Sequence, residues 1–278
     1  CLLSRGLGDV YKRQGLDVYI ELRGAEGISN DLLDVYDDKV RMRSALLSEF
    51  LIQRIFPLKD ILEGCYQITT ASTRRRTDRA HRRLAGELMK FSTLQRFLKF
   101  HAESDAALRK HFVRLSNDTA VNDEPLFWLQ YSIFMKSSGD IYSARLFLNA
   151  GYERAREIDG FKTFQLDTQA LSIYLLQEIE SQSAIVEGLE DILDAIKTVT
   201  DMIADQSHRH YAIEVIGEIP AFVEMRSMAL TQPEKVALVF QLNRASQVLG
   251  GLSTDEQVYS GSNIVRRRLE AAVAVLAR

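Results

Sequence analysis

The sequence predicts an all-α protein, and three observations support that prediction. From Leu16 onward, apolar residues recur at intervals of three and four, which is the spacing of one buried helix face. The 278 residues include only 4 Pro and 15 Gly, and so few turn-forming residues favour long helices over many short strands. No segment shows sustained alternation of apolar and polar residues, although the short run LDVYIEL at 16–22 is ambiguous.

The clearest helical segments follow one another along the chain. A first helix ends at Pro57, and a last amphipathic helix occupies residues 263–278. Three apolar faces are typical of helices that pack on one side, and the first of them belongs to the helix that ends at Pro57. Their apolar residues are Leu46, Leu47, Phe50, Leu51 and Ile55; Leu84, Leu88, Phe91, Leu94 and Leu98; and Leu189, Ile192, Leu193, Ile196, Val199 and Ile203.

Two helix boundaries carry their own chemical signals. Thr231 and Glu234 have the spacing of a capping box, in which both side chains satisfy free amides at a helix start. The helix that follows is expected to end at the two glycines 250–251. Residues 253–256, Ser-Thr-Asp-Glu, are a second candidate capping box.

Residues 1–14 have a composition unlike the rest of the chain. Residues 4–14, SRGLGDVYKRQ, resemble a translated transposase-tagmentation sequencing adapter over their whole length, and nothing in them is patterned to pack. We therefore expect this segment to be an assembly artefact and the natural N-terminus to be missing. Without it the chain has 32 basic and 37 acidic residues, a formal net charge of −5.

Charge and composition exclude several classes of protein. The net charge of −3 provides no global attraction to nucleic acid or to an anionic membrane. Two cysteines, Cys1 and Cys65, are too few for a disulfide scaffold. No apolar run approaches the ~20 residues that cross a bilayer, and no secretory signal is visible. We expect a cytoplasmic protein without a membrane partner.

One stretch, residues 125–160, has informative spacing. Trp128 is followed by small residues at Ser132, Gly139, Ala144 and Gly151, as in a tetratricopeptide repeat, a pair of antiparallel helices joined by a tight turn. Small residues allow two helix backbones to approach closely, and glycine supplies a positive φ in the turn. The residues expected to build this scaffold are Trp128, Tyr131, Ser132, Gly139, Ala144, Leu148 and Gly151, with Phe147 in the same groove.

The match to the repeat is incomplete. Arg156 stands where the repeat ends with proline, and Gly160 is expected to end the helix instead. Residues 164–206 and 208–250 keep the helix–turn–helix outline without the signature residues, and an unspecialised pair of packed helices remains the alternative. The fold expected is a tetratricopeptide-like helical solenoid of stacked antiparallel pairs.

Polar, turn-rich residues at 116–125 predict a boundary between two modules. We expect a helical module with a basic segment at 15–120 and a tetratricopeptide-like module at 121–278.

Several short blocks together resemble a known family. They are SEFLIQRIF, LMKFSTLQRFL, PLFWLQYSIFM, GDIYSARLFLNAGYERA and GFKTFQLDTQALSIYLL, within residues 45–180. They resemble the C-terminal helical region of bacterial STAND-like P-loop NTPases, large signalling proteins often associated with anti-phage defence, some of whose relatives carry a sirtuin-like or nuclease effector. The resemblance implies that this region senses or scaffolds while another part of the polypeptide performs the chemistry.

The sequence contains no recognisable catalytic motif. No Walker A loop, no dinucleotide-binding G-x-G-x-x-G after a strand and no G-x-S-x-G elbow is present. Cys65 is expected to be a small buried residue, and His208 and His210 a surface pair rather than metal ligands. The carboxylates Glu187, Glu190, Asp191 and Asp194 are expected to form a solvated helix face. We predict no enzyme activity, cofactor or metal in this region.

The strongest electrostatic feature is the basic segment at 73–83. Its arginines are Arg74, Arg75, Arg76, Arg79, Arg82 and Arg83. We expect Arg75, Arg79 and Arg83 to share one helix face, which Lys90, Arg96 and Lys99 extend, and arginine suits phosphate contact. Against nucleic-acid binding, no aromatic residue interleaves the arginines, and the rest of the chain is acidic.

The sequence thus supports two hypotheses. The first is a non-catalytic sensor or scaffold region that binds a protein partner or the upstream domains of its own polypeptide. The alternative is a nucleic-acid-binding helical protein that uses the basic face at 73–99.

Overall fold

A computed structural model describes two short strands and residues 50–75, 78–205, 209–253 and 261–277. The proposed adapter segment, residues 1–14, and the second candidate capping box beyond Ser253 lie outside the described residues. The chain divides into two compact units, Cys1–Tyr131 and Ser132–Arg278. We call these unit 1 and unit 2. The predicted boundary at residue 120 stays a prediction.

Unit 1 is mainly helical. Its helices are α1 (Leu58–Thr73), α2 (Arg79–Met89), α3 (Phe91–Leu98), α4 (Ser104–Ser116) and α5 (Thr119–Asn122), preceded by a π-helical turn at Leu51–Ile55. Helix α6 (Pro125–Ser137) begins in unit 1 and contains the division between the units. Pro125 occupies the first position of α6, where its missing N–H costs no hydrogen bond.

The structure also has a β-hairpin that the sequence pattern did not predict. Strands β1 (Leu33–Tyr36) and β2 (Lys39–Met42) pair antiparallel, with Leu33 opposite Met42 and Val35 opposite Val40. Each strand has only 4 residues, so its alternation involves two apolar positions and falls below the length at which a period of two is recognisable. Every other described element is helical, and the all-α class is confirmed.

The predicted apolar face at 84–98 is buried, but it belongs to two helices. Leu88 is 1% exposed in α2 and Leu94 is fully buried in α3. Lys90 separates the helices because its ψ of 124° is extended rather than helical. The side-chain Oε1 of Gln130 accepts a hydrogen bond from the Phe91 N–H at 3.0 Å. That bond satisfies an amide at the start of α3.

Residues 116–125, which the sequence indicated as a linker, contain the short helix α5. Asp118 begins it by accepting hydrogen bonds from the N–H groups of Ala120 and Val121 at 3.1 and 3.4 Å. The side chain of Val121 is fully buried. This polar stretch is therefore a helical part of unit 1. Its aspartate, Asp118, is the N-cap residue of α5, a position at which aspartate is common.

An aromatic cluster forms part of the core of unit 1. Phe112 of α4 stacks on Tyr131 of α6 with ring centroids 5.1 Å apart. Phe127 meets Trp128 edge to face at 5.2 Å, and both rings lie near Tyr131. Phe112 and Phe127 are fully buried. Such pairs stabilise a core by about 0.5–1.5 kcal/mol each beyond the area that they bury.

The secondary-structure elements in the described part of unit 2 are all helices. It contains α7 (Ile141–Arg156), α8 (Phe164–Glu180), α9 (Leu189–Ala204), α10 (Arg209–Ile216), α11 (Ile219–Arg226), a 3-10 turn (Ser227–Ala229), α12 (Gln232–Gly250) and α13 (Ser262–Leu276). As predicted, α12 begins after Thr231, whose N–H donates to Oε2 of Glu234 at 2.6 Å. None of the helices in the described part of the chain is both long and apolar enough to cross a membrane.

The helices of unit 2 pack partly in chain order. Helix α8 contacts both α7 and α9, α9 contacts α10, and α12 contacts α13, whereas the contacts of α9 with α12 and of α10 and α11 with α8 and α13 join helices that are not consecutive in the chain. Aliphatic side chains such as Ile196, Leu242 and Leu269 form the shared core. The helix pair predicted at 164–206 corresponds to α8 and α9.

The second predicted pair, at 208–250, is wrong because this stretch holds three α-helices. Gly217 and Glu218 separate α10 from α11, and Pro220 lies in the first turn of α11. In one continuous helix, Pro220 would lie in the interior. It has no N–H to donate to the carbonyl of Ile216, and its ring would clash with that carbonyl. The chain therefore starts a new helix.

Candidate functional site

An open cleft of about 190 Å³ crosses α7, α8 and α9 of unit 2. It is lined by Tyr152, Asp167, Ala170, Tyr174, Asp191, Asp194, Ala195 and Thr198. Ala170 and Ala195 are the two buried residues of this set, 4% and 9% exposed, and their short side chains leave room between the larger ones. Three helices that are consecutive in the chain therefore present aromatic rings and carboxylates to the same space.

Tyr152 and Asp167 form one polar side of the cleft. The Tyr152 hydroxyl donates to Oδ1 of Asp167 at 2.8 Å, and the Thr163 hydroxyl donates to Oδ2 at 2.9 Å. Burial nevertheless raises the pKa of Asp167, because two neutral donors do not fully replace water around a carboxylate. Burial also raises the pKa of Tyr152, with Asp167 adding to the effect. A carboxyl group with a raised pKa in a cleft is a common feature of functional sites.

Arg145 of α7 lies beside the other end of the lining. Its guanidinium donates to Oδ2 of Asp191 at 2.7 Å and to the side chain of Gln177 at 2.9 Å. The guanidinium carbon is 4.9 Å from the centre of the Tyr174 ring, within the range of a cation–π contact. Burial raises the pKa of Tyr174, so its hydroxyl stays neutral. An aspartate and a tyrosine of the cleft thus already hold one cation together.

Asp194 and Thr198 form the outer part of the cleft on α9. The Thr198 hydroxyl donates to the backbone carbonyl of Asp194 at 2.9 Å. The Asp194 residue itself is exposed. The predicted exposure of Asp191 and Asp194 on α9 is therefore correct. The prediction did not include that both residues line a cleft. The residues from α7 and α8 could not be identified in advance, because Tyr152, Asp167 and Tyr174 share no short spacing.

The structure brings several of the predicted repeat residues together at the α6–α7 turn. The Ser132 hydroxyl donates to the Ala144 carbonyl at 2.7 Å, and both residues are fully buried. Gly139 lies between the helices with φ of +76°. These positions match the close approach and the turn that the spacing suggested.

The remaining repeat residues occupy different surroundings. Leu148 and Gly151 are buried on α7. Trp128 and Tyr131 lie in the aromatic cluster of unit 1, where the Trp128 indole donates to the Asn122 carbonyl at 2.7 Å. Gly160 has φ of +69° four residues beyond the end of α7 at Arg156.

The arginine-rich segment does not form one continuous helical face. Arg75 lies between α1 and α2, so the expectation that it shares a face with Arg79 and Arg83 is wrong. The break arises because Asp78 caps α2, accepting the Ala80 N–H at 2.7 Å. Only Arg79 and Arg83, both exposed and one turn apart on α2, share the predicted face.

The other basic residues are dispersed or engaged. Arg74 pairs with the buried carboxylate of Asp118 at 2.7 Å. Lys90 and Lys99 flank α3, which contains Arg96, so the extension of the face is also interrupted. Arg82 is exposed on α2, and Arg76 lies outside the described residues.

The thiol and imidazole groups take structural positions. Cys65 is 3% exposed, and burial raises the pKa of its thiol to about 12. His210 is exposed beside Tyr211, while His208 lies outside the described residues. Among the residues that the structure describes, no group of three His, Cys, Asp or Glu side chains is placed to hold a metal ion.

A buried serine was not anticipated from the sequence. The Ser172 hydroxyl of α8 accepts from Nζ of Lys136 at 2.8 Å and donates to Oε2 of Glu218 at 2.5 Å. A serine hydrogen-bonded to a lysine also occurs in some nucleophilic sites. Ser172 is only 3% exposed in the middle of a helix, which suits a polar tie between α6, α8 and the start of α11 better than attack on a substrate.

The resemblance to STAND-like NTPases stays a prediction, because the sequence matches no protein-family model and no curated protein or solved structure is significantly similar to it.

Proposed function

We propose that this chain is a helical scaffold or sensor region that acts by binding. In this proposal the helices of unit 2 form a tetratricopeptide-like stack, and the region belongs to a larger bacterial signalling or defence NTPase. Its partner is another protein or the upstream domains of the same polypeptide, and the chemistry is performed outside this region.

The observation that carries the proposal is the cleft across α7, α8 and α9. Stacked helices of a repeat protein present their binding residues along one continuous surface, one helix after another. The cleft has this arrangement, because Tyr152, Asp167 and Asp194 come from three successive helices. The close Ser132–Ala144 contact in the pair that precedes it supports the repeat geometry.

The test is an assay of the intact protein encoded by the complete reading frame. We expect an NTPase or effector domain to accompany this region, and Asp194→Lys to alter the nucleotide hydrolysis rate or effector output of that protein. Asp205→Lys is the matched control, because Asp205 is exposed at the end of the same helix and does not line the cleft. A complete frame without a further domain, or equal behaviour of the two variants, would contradict the proposal.

A second candidate function, nucleic-acid binding, is favoured by the local charge of unit 1. Residues 50–131 contain 14 Lys and Arg against 9 Asp and Glu, although the whole chain is acidic. Arg79 and Arg83 are exposed on one face of α2. Neutralising phosphates with such residues gives an affinity that falls steeply with salt.

Charge reversal tests this second candidate. If the basic face binds nucleic acid, Arg79→Glu with Arg83→Glu should remove about two phosphate contacts. The slope of log K against log salt concentration should then become less steep by about two. Arg267→Glu with Arg268→Glu is the control, because this double variant makes the same charge change at two exposed helical arginines, consecutive in the chain, that lie in unit 2. Equal effects of the two double variants on a fluorescent oligonucleotide would exclude a specific role for α2.

A further inference from the structure

We propose that the cleft across α7, α8 and α9 binds a lysine or arginine side chain of a partner protein. This inference rests on the proposed binding function and adds the chemistry of the group that is recognised. Three features of the cleft support it: the lining already holds one cation, among the described residues no cation pairs with its remaining carboxylates, and its shape suits one side chain.

Arg145 shows what the lining can hold. Its guanidinium contacts both the Asp191 carboxylate, at 2.7 Å, and the face of the Tyr174 ring, at 4.9 Å from the ring centre. A carboxylate and an aromatic face together are the combination that proteins use for guanidinium and ammonium groups. The lining residues are therefore chemically suited to cations in the geometry that the structure shows.

The rest of the cleft keeps its negative charge. Among the described residues, no Lys or Arg side chain pairs with Asp194, and the donors to Asp167 are the neutral hydroxyls of Tyr152 and Thr163. Arg145 thus balances one of the three aspartates that line the cleft. An incoming cation would gain two carboxylates, whereas a phosphate or a carboxylate ligand would be repelled.

The charge of residues 132–278 and the shape of the cleft also favour a cationic side chain. Residues 132–278 contain 20 Asp and Glu against 14 Lys and Arg, so this part of the chain carries a net negative charge that favours the approach of cations at low salt. The cleft is open and about 190 Å³ in volume, with the alanines 170 and 195 leaving space between larger groups. An open cleft of this size suits one long side chain that enters from a partner's surface, with its methylene stem on the tyrosine rings.

The experiment measures binding of two short blocked peptides that differ at one position. One carries lysine and the other norleucine, which has the same stem without the ammonium group. Each peptide bears a fluorescent label, and anisotropy gives its dissociation constant with the full chain. We expect the lysine peptide to bind about 10-fold more tightly, and the difference to shrink as salt screens the aspartates.

Variants locate that difference in the cleft. Asp194→Asn should weaken binding of the lysine peptide by about 3- to 5-fold, the range of one partly exposed charge pair, and should leave the norleucine peptide unaffected. Asp205→Asn, at the residue that follows the last residue of α9 and outside the cleft, should change neither. Both residues are exposed, so circular dichroism should show unchanged helix content in each variant.

Three results would overturn the proposal. They are equal binding of the two peptides, binding of neither, and equal effects of Asp194→Asn and Asp205→Asn. If both peptides bind equally and Tyr174→Ala weakens both, the cleft binds apolar stems; the proposed binding function then survives, and only the cationic chemistry fails.

Discussion

The two units reach the same all-α class with opposite charge and different cores. Residues 1–131 have 21 basic against 18 acidic residues, and residues 132–278 have 14 against 20. The total of −3 conceals this contrast. Because charge acts over about a Debye length of 8–10 Å rather than over a whole chain, the local values decide what each unit attracts. A net charge computed for the whole sequence is therefore a poor guide to partners here.

The cores differ as clearly as the surfaces. Unit 1 contains the aromatic cluster around Phe112 and Phe127, whereas unit 2 is filled mainly with Ile, Leu and Val side chains. Each unit also contains a histidine or carboxyl group whose pKa is shifted by burial. In unit 1 this group is His111, which is 4% exposed, and in unit 2 it is the half-buried Asp167. The effects of mutation and pH should therefore differ between the units.

Removing Phe112 should have the largest effect. Phe112 is fully buried and contacts three aromatic rings, so Phe112→Ala should lower the free energy of unfolding of unit 1 by about 3–5 kcal/mol. Hydrogen exchange should show the loss in the amides of α1 to α5 and a smaller one in unit 2. The neighbouring Val113→Ala is the control, because Val113 is 46% exposed and should cost about 0.5 kcal/mol or less. Equal loss in both variants would show that the aromatic cluster does not stabilise unit 1.

Acidification should change the stability contributions of His111 and Asp167 in opposite directions. Burial and Arg114 lower the pKa of His111 to about 4, while an unfolded histidine titrates near 6.5. The unfolded state therefore binds a proton that the folded state does not, and the His111 contribution falls by roughly 3 kcal/mol as the pH drops between these values. Asp167 has a raised pKa, so its contribution increases as the pH falls through the folded-state value.

Hydrogen-exchange protection between about pH 7 and pH 5 measures this difference unit by unit. We expect protection to fall in unit 1 and to change less in unit 2. His111→Leu should flatten the response of unit 1, because leucine does not titrate. The substitution should cost no hydrogen bond, since the buried Nε2 of His111 has no hydrogen-bond partner among the described residues. An unchanged response in His111→Leu would mean that other groups cause the acid sensitivity.

The Ser132–Ala144 approach provides an intermediate effect within unit 2. Ser132→Leu should cost about 1–3 kcal/mol, because the side chain is fully buried against a backbone carbonyl and a larger one would force α6 and α7 apart. Ser132→Ala should cost only about 1 kcal/mol, the value of the lost hydrogen bond. Urea denaturation of both variants tests the order, and a leucine variant as stable as the alanine variant would exclude a close helix contact.

The sequence was most informative where one local pattern decides the outcome. Helical spacing identified the faces that contain Leu94 and Ile196, and the small residues identified the turn at Gly139. The break at Lys90 was missed, because residues 84–98 keep one apolar period across the two helices that this extended residue separates. Periodicity indicates which side of the chain is apolar and is insensitive to such a break. It does not guarantee burial, because Phe50 and Ile55 of the first predicted face are 52% and 58% exposed.

The cleft shows a different limit. Tyr152, Asp167 and Tyr174 lie on two helices, and nothing in their spacing distinguishes them from ordinary surface residues until α7 and α8 are placed side by side. The predicted continuous face of the basic segment was wrong for a related reason. Six arginines in eleven residues indicate a charged surface, but they do not show whether that surface lies on one helix. Both errors concern the placement of elements, which depends on long-range packing rather than on local composition.

The smallest expected effect concerns two residues with positive φ, one in each unit. Glu103 precedes α4 with φ of 60°, and Gly139 precedes α7 with φ of 76°. A side chain in this region costs about 1 kcal/mol, so Gly139→Ala should lower the thermal midpoint slightly and Glu103→Gly should raise it by a similar or smaller amount. The gain at Glu103 is the smaller of the two, because glycine also makes the unfolded chain more flexible. No side chain would be crowded at Gly139, so a loss there measures backbone strain alone. If both substitutions destabilise the protein, Glu103 contributes through its carboxylate near the start of α4, where negative charge is favourable, and not through the conformation of its backbone.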